Sequence, residues 1–442
     1  MIPDRQPITR RRLLAGAQLT ALLVALPTCL RAQARDAAVG EDGIRILRAR
    51  PADAPGRAAD QAPAQWGYDG LVPGPVLRVK RGEMVKLRLL NELAEETTLH
   101  WHGVRLSNVM DGVAHLTQAP IAPGASFDYR FTAPDAGTFW YHPPRQASER
   151  LRGLHGALIV DEVEQVAIDR DVLLVLASPP AADAGRTAET ATVNGQASLD
   201  VTVKTNERLR LRLLNASAAR PLSLRLDQHR ATVMAIDGQP ADPFVARDSR
   251  VVLGPGNRMD LFVDMALAPG ASAPILLATG NRDAPIGRVV YADGAPVRAA
   301  PLPDPTTTPL PANPLPARMD FRTAARFDLP IERGARPWVE AGAAASGNYG
   351  PPLLKVKRGR TVMLALPNRA DAPAALHLHG HHFRLLDNLD DGWKPFWLDT
   401  LMVAPGQTVR IAFVADNVGK WLMEAQMLHP RETTLATWFE VT

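Results

Sequence analysis

The chain has 442 residues, of which 46% are apolar and 22% are charged. This composition is typical of a globular protein, and the length suffices for about three domains of roughly 100–200 residues each. Residues 1–34 contain five arginines and one aspartate, which account for the whole formal net charge of +4. Removing them from the 50 basic and 46 acidic residues leaves 45 of each. The high pI is therefore no evidence for a nucleic-acid partner, and we expect none.

The first 34 residues resemble an export signal. Three arginines at 10–12 precede an apolar stretch from Ala15 to Leu26 and the small-residue sequence Ala32-Gln33-Ala34. We expect export by the Tat route, which carries folded proteins, to the periplasm or the medium, with no membrane span after cleavage. One alternative is a retained membrane anchor, although the apolar stretch is shorter than the roughly 20 residues of a spanning helix. Another is lipidation at Cys29.

Cys29 is the only cysteine in the sequence, and it lies inside the predicted signal. The predicted mature protein therefore has neither a disulfide nor a thiolate metal ligand. Any metal site in it must be built from other side chains.

Short alternating runs such as 85–89 and 408–413 follow the signal, bounded by Pro, Gly, Asn and Asp. A period of two residues indicates strands with one buried face. The pattern predicts an all-β protein made of Greek-key β-sandwiches.

One sequence unit occurs three times. The run from Val79-Lys80-Arg81-Gly82 to His100-Trp101-His102-Gly103 aligns without a gap with Val356-Lys357-Arg358-Gly359 to His377-Leu378-His379-Gly380, 277 positions later. A middle copy lies 124 positions after the first and has leucines, 224 and 226, at the histidine positions. We therefore predict domains at 35–162, 163–312 and 313–442, the middle one a metal-free spacer, with the Pro-rich stretch 301–316 as the last linker.

Two histidine pairs stand out in this repeat. Residues i and i+2 of a strand point to the same side, so His100 with His102, and His377 with His379, are each expected to project together. Such pairs also occur as ordinary polar faces of strands. Their equivalent positions in two repeats, and their absence from the middle copy, favour a metal site between the first and third domains, and imidazoles suit copper or zinc. His142 is a further candidate, and its repeat partner, 282 positions later, is Glu424.

The sequence is similar to the three-domain multicopper oxidases, of the branch that contains bacterial laccases and a cell-division protein. The similarity covers essentially the whole predicted mature chain and implies cupredoxin-like domains. It is carried by motifs in family order: His100-Trp101-His102-Gly103, Asp111-Gly112-Val113, Thr117-Gln118-Ala119-Pro120-Ile121, Gly137-Thr138-Phe139-Trp140-Tyr141-His142, Gly153-Leu154-His155-Gly156 and His377-Leu378-His379-Gly380-His381.

The resemblance implies a blue copper, held by two histidines, a cysteine and usually a methionine, and this sequence departs from that pattern. Ala374 stands where the first of these histidines is expected, and Ala425 stands where the cysteine is expected. The second histidine falls at Pro430 or, with a one-residue shift, at His429. The resemblance therefore implies a degenerate member of the family without a blue copper.

The three-copper cluster that the resemblance implies is better preserved. His100 and His377 match the two ligands of one copper, His102 and His142 match two ligands of a second, and His379 matches one ligand of a third. Pro144, Gln426 and Glu424 replace the rest, so five of eight histidines persist. Because glutamate can ligate, Glu424 joins the predicted metal set, which could hold one or two copper ions. His381 matches a position that orients a ligand by a hydrogen bond from behind.

Three functions remain open at this point. The first is an exported copper-binding protein that lacks oxidase turnover, and the surviving histidines favour it. The second is a copper-free structural or interaction protein with a periplasmic protein partner, which the missing electron-entry site favours. The third is residual laccase-like oxidoreductase activity, which would need electrons to enter the cluster directly from a substrate.

Overall fold

The computed structural model describes residues 43–52, 65–144, 153–177, 191–217, 220–278, 283–316, 318–386, 396–428 and 433–442. The predicted export signal with Cys29, and the candidates His429 and Pro430, lie outside the described residues. Among the helices of the described segments, none has both the length and the apolar character needed to cross a membrane.

The first β-sandwich consists of two four-stranded sheets, in the orders β2-β1-β4-β6 and β3-β8-β7-β5. In β4, Val85, Leu87 and Leu89 are buried while Met84 and Lys86 are exposed, as the alternation in the sequence predicts. A 3-10 helix at Asn108–Met110 follows β5. The strands are β1 (Arg45–Pro51), β2 (Trp66–Tyr68), β3 (Leu77–Lys80), β4 (Met84–Asn91), β5 (His100–His102), β6 (Ser126–Thr132), β7 (Gly137–His142) and β8 (Gly156–Asp161).

The second β-sandwich consists of a six-stranded sheet, β10-β9-β12-β17-β14-β15, and a five-stranded sheet, β11-β19-β18-β13-β16. Leu224 and Leu226, which replace the paired histidines, lie in its hydrophobic core. Two 3-10 helices lie at Arg247–Ser249 and Pro305–Thr307. The strands are β9 (Arg170–Ala177), β10 (Thr192–Val193), β11 (Leu199–Val203), β12 (Arg208–Asn215), β13 (Leu222–Leu226), β14 (Ala231–Ile236), β15 (Gln239–Val245), β16 (Arg250–Leu253), β17 (Arg258–Asp264), β18 (Ser272–Ala278) and β19 (Asp283–Tyr291).

The third β-sandwich consists of a four-stranded sheet, β20-β23-β27-β25, and a second sheet, β21-β29-β28-β24-β26, in which β22 also pairs with β29. Its elements are β20 (Ala325–Asp328), β21 (Val339–Glu340), the short helix α1 (Ala341–Ala345), β22 (Lys355–Val356), β23 (Arg360–Pro367), β24 (Ala374–Leu378), β25 (Arg384–Leu386), β26 (Thr400–Val403), β27 (Thr408–Ala415), β28 (Gly419–Met427) and β29 (Thr433–Val441).

The sequence repeat has a structural counterpart in all three sandwiches. Strands β4, β12 and β23 each pair in parallel with the strand that opens their sandwich, and antiparallel with β6, β17 and β27 respectively. The asparagine that ends the repeated run is buried in each sandwich. Its side-chain amide donates to two backbone carbonyls, and these carbonyls lie at similar sequence separations from the asparagine in all three sandwiches. These residues are Asn91, Asn215 and Asn368. The repeated asparagine thus satisfies carbonyls that the strand ends leave unpaired.

Candidate metal centre

Strands β5 and β24 hold the two histidine pairs. In β5, Trp101 packs into the core of the first sandwich, so His100 and His102 point to the opposite side. Strand β24 ends at Leu378, which makes His379 the first residue after it. The spacing of His377 and His379 predicts a strand that includes both residues, so the observed strand ends one residue earlier than predicted. A hydrogen bond from His379 N to Leu422 O, 3.1 Å long, keeps His379 beside β28.

The neighbouring strands supply one more side chain to each half of the site. Strand β7 pairs with β5 so that His142 lies opposite His100. Strand β28 pairs with β24 so that Glu424 lies opposite His377. Glu424 therefore has the same strand register in the third sandwich that His142 has in the first.

The two halves meet face to face between the first and third sandwiches. His100 stacks on His379 with ring centroids 3.7 Å apart, and His102 stacks on His377 at 3.5 Å. These four rings and that of His142 are each 0% exposed. The structure thus brings the five candidate histidines into one buried cluster, which we call the histidine cluster.

Two nitrogen atoms in the centre of the cluster face each other without a proton between them. Nδ1 of His100 lies 3.0 Å from the carbonyl oxygen of Asp111, and Nδ1 of His377 lies 3.0 Å from that of Asp399. A carbonyl oxygen only accepts, so both Nδ1 atoms carry the ring proton. Both Nε2 atoms then present lone pairs, and they are 3.2 Å apart.

A second pair of nitrogens has the same arrangement. Nδ1 of His142 donates to the carbonyl of Pro143 at 2.6 Å, which leaves a lone pair on its Nε2. The Thr400 hydroxyl donates to Asp399 at 2.8 Å and so accepts from Nε2 of His102 at 2.9 Å. The lone pair of His102 is then on Nδ1, 3.1 Å from Nε2 of His142.

Protonation of His100, His102 or His377 does not relieve this repulsion, because burial keeps these three rings neutral. Burial, which disfavours an imidazolium, lowers the pKa of His100 and lowers that of His377 to about 3. Burial, together with the neighbouring ring of His377, lowers the pKa of His102 well below its usual range. A cation held between the paired lone pairs relieves the repulsion without protonating a ring.

His379 differs from the other rings in its charge. Burial opposes its protonation, but the carboxylates of Asp111 and then Glu424 overcome burial and raise its pKa to about 9. Its Nδ1 lies 3.0 Å from Asp111 Oδ2, and its Nε2 lies 3.6 Å from Glu424 Oε2, beyond hydrogen-bond length. Within the described part of the chain, that Nε2 makes no hydrogen bond.

Two residues that the sequence did not single out contact the cluster from the third sandwich. Asp399 Oδ1 lies 3.3 Å from Nε2 of His102 and 3.5 Å from Nδ1 of His377. The hydroxyl of Thr400 lies 2.9 Å and 3.1 Å from the same two nitrogens. Asp111, from the first sandwich, also contacts the cluster. It belongs to a motif that the sequence shares with the family, but its contact with His379 was not predicted. Asp399 is a charged residue within the largely apolar run from Trp397 to Val403, and this is the sequence signal by which it could have been found.

The replaced ligand positions have three different surroundings. Ala374 and Ala425 lie in the hydrophobic core, where Ala374 is opposite Met427 and Ala425 is opposite Leu376 in the sheet. Gln426 is buried opposite Ala375. Pro144 lines a small cavity of about 50 Å³ beside Thr98 and Ala114.

The two histidines that follow the second pair lie behind it. His381 Nδ1 lies 3.2 Å from the backbone carbonyl oxygen of His379. His381 was predicted to orient a ligand ring by a hydrogen bond, and this contact is to the backbone of His379 and not to its ring. His382 Nε2 lies 3.5 Å from Asp399 Oδ2, on the side of that carboxylate away from the cluster. Neither ring belongs to the facing pairs.

Three cupredoxin-like β-sandwiches with a buried histidine cluster between the first and third define a class of metal-binding proteins. Models of multicopper oxidase domains match residues 55–165, 169–272 and 318–442. The chain belongs to the multicopper oxidase family.

Several members of the family are similar over most of their length. The multicopper oxidase MmcO of Mycobacterium tuberculosis is 28% identical, over 84% of this chain and 82% of that protein. The crystal structure of a multicopper oxidase from Pseudomonas thermotolerans has a TM-score of 0.77 and 32% identity, and the match covers 90% of this chain and 98% of that one. Lac15 from a marine microbial metagenome matches with a TM-score of 0.74 and 31% identity, over 90% and 99% of the two chains.

Proposed function

We propose that this chain is an exported, copper-binding member of the multicopper oxidase family that has no blue copper and does not complete an oxidase cycle. The observation that carries the proposal is the pair of facing lone pairs, one between His100 and His377 and one between His102 and His142. Buried imidazole nitrogens that face each other in this arrangement fit a metal ion held between them. Imidazole nitrogen is a ligand type that copper prefers.

The residues of the site hold one or two ions in this proposal. His100 and His377 would hold the first through their Nε2 atoms, while His102, through Nδ1, and His142, through Nε2, would hold the second. His379 and Glu424 lie beside these two positions, and His379 carries a proton when no metal is bound. Copper bound here would supply a redox-active cation, while the surrounding side chains orient the ring nitrogens and burial excludes water.

The surroundings of Ala374 and Ala425 support the absence of a blue copper. Neither side chain has a ligand atom, and both pack among apolar residues of β24 and β28. A copper-thiolate centre also needs a cysteine, and Cys29 is the only one in the sequence. Without that centre, the protein lacks the site through which the family's oxidases take electrons from substrates.

Copper counting on the metal-stripped full-length protein tests the proposal. The protein is loaded with Cu(II), freed of excess metal, and measured for copper per chain, for its EPR spectrum and for visible absorption. We expect one or two copper ions per chain, no intense blue band, and no phenol-dependent consumption of dioxygen. A His100→Ala/His377→Ala double variant should lose at least one ion.

The matched control is a His115→Ala/His229→Ala double variant, which removes two histidines outside the cluster. It should bind as much copper as the wild type. A wild type without bound copper would overturn the proposal in favour of a structural or interaction protein. Equal copper in the wild type and the His100→Ala/His377→Ala variant would also overturn it, because the metal would then lie elsewhere. Phenol turnover that is lost in His102→Ala would establish an oxidase.

A further inference from the structure

Arg258 belongs to the second β-sandwich, yet its side chain ends beside the histidine cluster held between the other two. We infer that Arg258 is a positioning residue for the cluster and acts through Asp399. The inference rests on the proposed copper-binding function, because it concerns how the same ligands are held. It also gives the second sandwich, expected from the sequence to be a spacer, a direct part in building the site.

Arg258 is fixed in place at the start of β17. Its backbone N–H donates to Asp237 at 3.1 Å, its Nε donates to the carbonyl of Thr138 at 3.1 Å, and its Nη1 donates to that of Gly256 at 3.0 Å. Its Nη1 and Nη2 donate to the two oxygens of Asp399 at 2.8 Å and 2.6 Å. Such a two-point contact fixes the plane of the carboxylate as well as its charge.

Asp399 passes this orientation on to one histidine from each half of the cluster. Its Oδ1 is the oxygen that lies 3.3 Å from His102 and 3.5 Å from His377, and it also accepts the Thr400 hydroxyl. The guanidinium neutralises a carboxylate that is otherwise buried without a cation, so Asp399 stays charged and accepts hydrogen bonds. The orientation of both rings therefore depends on a residue that contacts neither.

Gly103, directly after His102, makes this close approach feasible. Its φ is +83°, and a Cβ at this position would lie 2.2 Å from Arg258 Nη2 and 2.6 Å from Asp399 Oδ2. The ion pair thus packs directly against the backbone that follows the first histidine pair. Only a residue without a side chain allows this contact.

A second buried arginine on the same sheet shows what a purely structural ion pair looks like. Arg208 donates to both oxygens of Asp264 at 2.6 Å and 2.8 Å, and to the carbonyls of Leu302 and Pro303. These contacts hold the Pro-rich segment against the sheet. The Arg208–Asp264 pair matches the Arg258–Asp399 pair in chemistry and burial of the arginine, and so provides a control.

The test compares two double variants, since removal of Arg258 alone would leave Asp399 buried without a cation and could prevent folding. Arg258→Met/Asp399→Asn removes both charges and keeps the volume, and Arg208→Met/Asp264→Asn does the same at the control pair. Copper affinity is measured by competition with a chelator, and the histidine rings of the metal-free proteins are examined by nitrogen-15 NMR. Arg258→Lys keeps the charge but not the two-point contact.

We expect the Arg258→Met/Asp399→Asn variant to bind Cu(II) about 10–100-fold more weakly than the wild type. The NMR signals of His102 and His377 should shift in this variant, Arg258→Lys should have an intermediate affinity, and the control double variant should match the wild type. Unchanged affinity and unchanged ring signals in the folded Arg258→Met/Asp399→Asn variant would overturn this inference alone. A wild type without copper would overturn the proposed function as well.

Discussion

Two buried aspartates contact the histidine cluster, and the surroundings of these two aspartates differ. On one side, Asp399 contacts His102 and His377 and is neutralised by the guanidinium of Arg258. On the other side, the carboxylate of Asp111 contacts His100 and His379. Each aspartate thus contacts one ring from the pair on β5 and one ring from the pair on β24. Of these two aspartates, only Asp399 forms an ion pair with a permanent cation within the described residues.

This difference explains why the rings differ in charge. Arg258 satisfies the charge of Asp399, so burial keeps His102 and His377 neutral and able to bind metal. The charge of Asp111 is satisfied by a proton on His379, which Glu424 stabilises further. His102 and His377 are therefore neutral and can bind a metal ion directly, whereas a metal ion at His379 must first displace a proton.

The largest expected effect is a difference in the free energy of unfolding between variants of the two aspartates. Asp399→Asn removes the carboxylate that the buried guanidinium of Arg258 contacts at two points and leaves it with Asp237 at the longer distance of 3.5 Å. This loss should lower the free energy of unfolding by about 3–5 kcal/mol. Asp111→Asn should cost about 1–3 kcal/mol, because His379 can release its proton. Urea unfolding of the metal-free variants measures both. Equal losses would contradict this difference between the two aspartates.

A smaller effect is expected at the glycine beside the Arg258–Asp399 pair. Gly103→Ala incurs backbone strain of about 1–2 kcal/mol from its positive φ and about 1–3 kcal/mol more from overlap with Arg258 and Asp399. Gly82→Ala is the matched control, since Gly82 has φ +87° and a Cβ added there would have no atom within 4 Å. Urea unfolding should show the larger loss for Gly103→Ala. The same loss in both variants would mean that the Arg258–Asp399 ion pair shifts without cost to make room for the added methyl group.

The sequence predicts the parts of this site that follow from strand periodicity and from the repeat. His100, His102, His142, His377 and Glu424 were all located by offsets within equivalent strands, and the side of the strand on which each lies follows from the two-residue period of β-structure. Asp399 and Arg258 could not be found in this way, because they are 141 positions apart and meet only through the packing of two sandwiches. The charge of His379 likewise depends on Asp111, which lies 268 positions away.

The smallest expected effect tests the proton on His379. Because its pKa in the folded protein is raised to about 9 from an ordinary value of 6.5, this group stabilises the fold fully below about pH 6.5 and loses that contribution as the pH rises through about 9. Glu424→Gln removes one of the two carboxylates and should lower the pKa of His379 by about one unit, or about 1.4 kcal/mol. Urea unfolding of the metal-free proteins should therefore show a less stable variant near neutral pH and no difference above about pH 10. Glu440→Gln, at a carboxylate that pairs with Lys355 on the surface, should show no such dependence. A loss in Glu424→Gln that stays constant with pH would place the proton elsewhere, and the rings beside Asp111 and beside Asp399 would then be alike in charge.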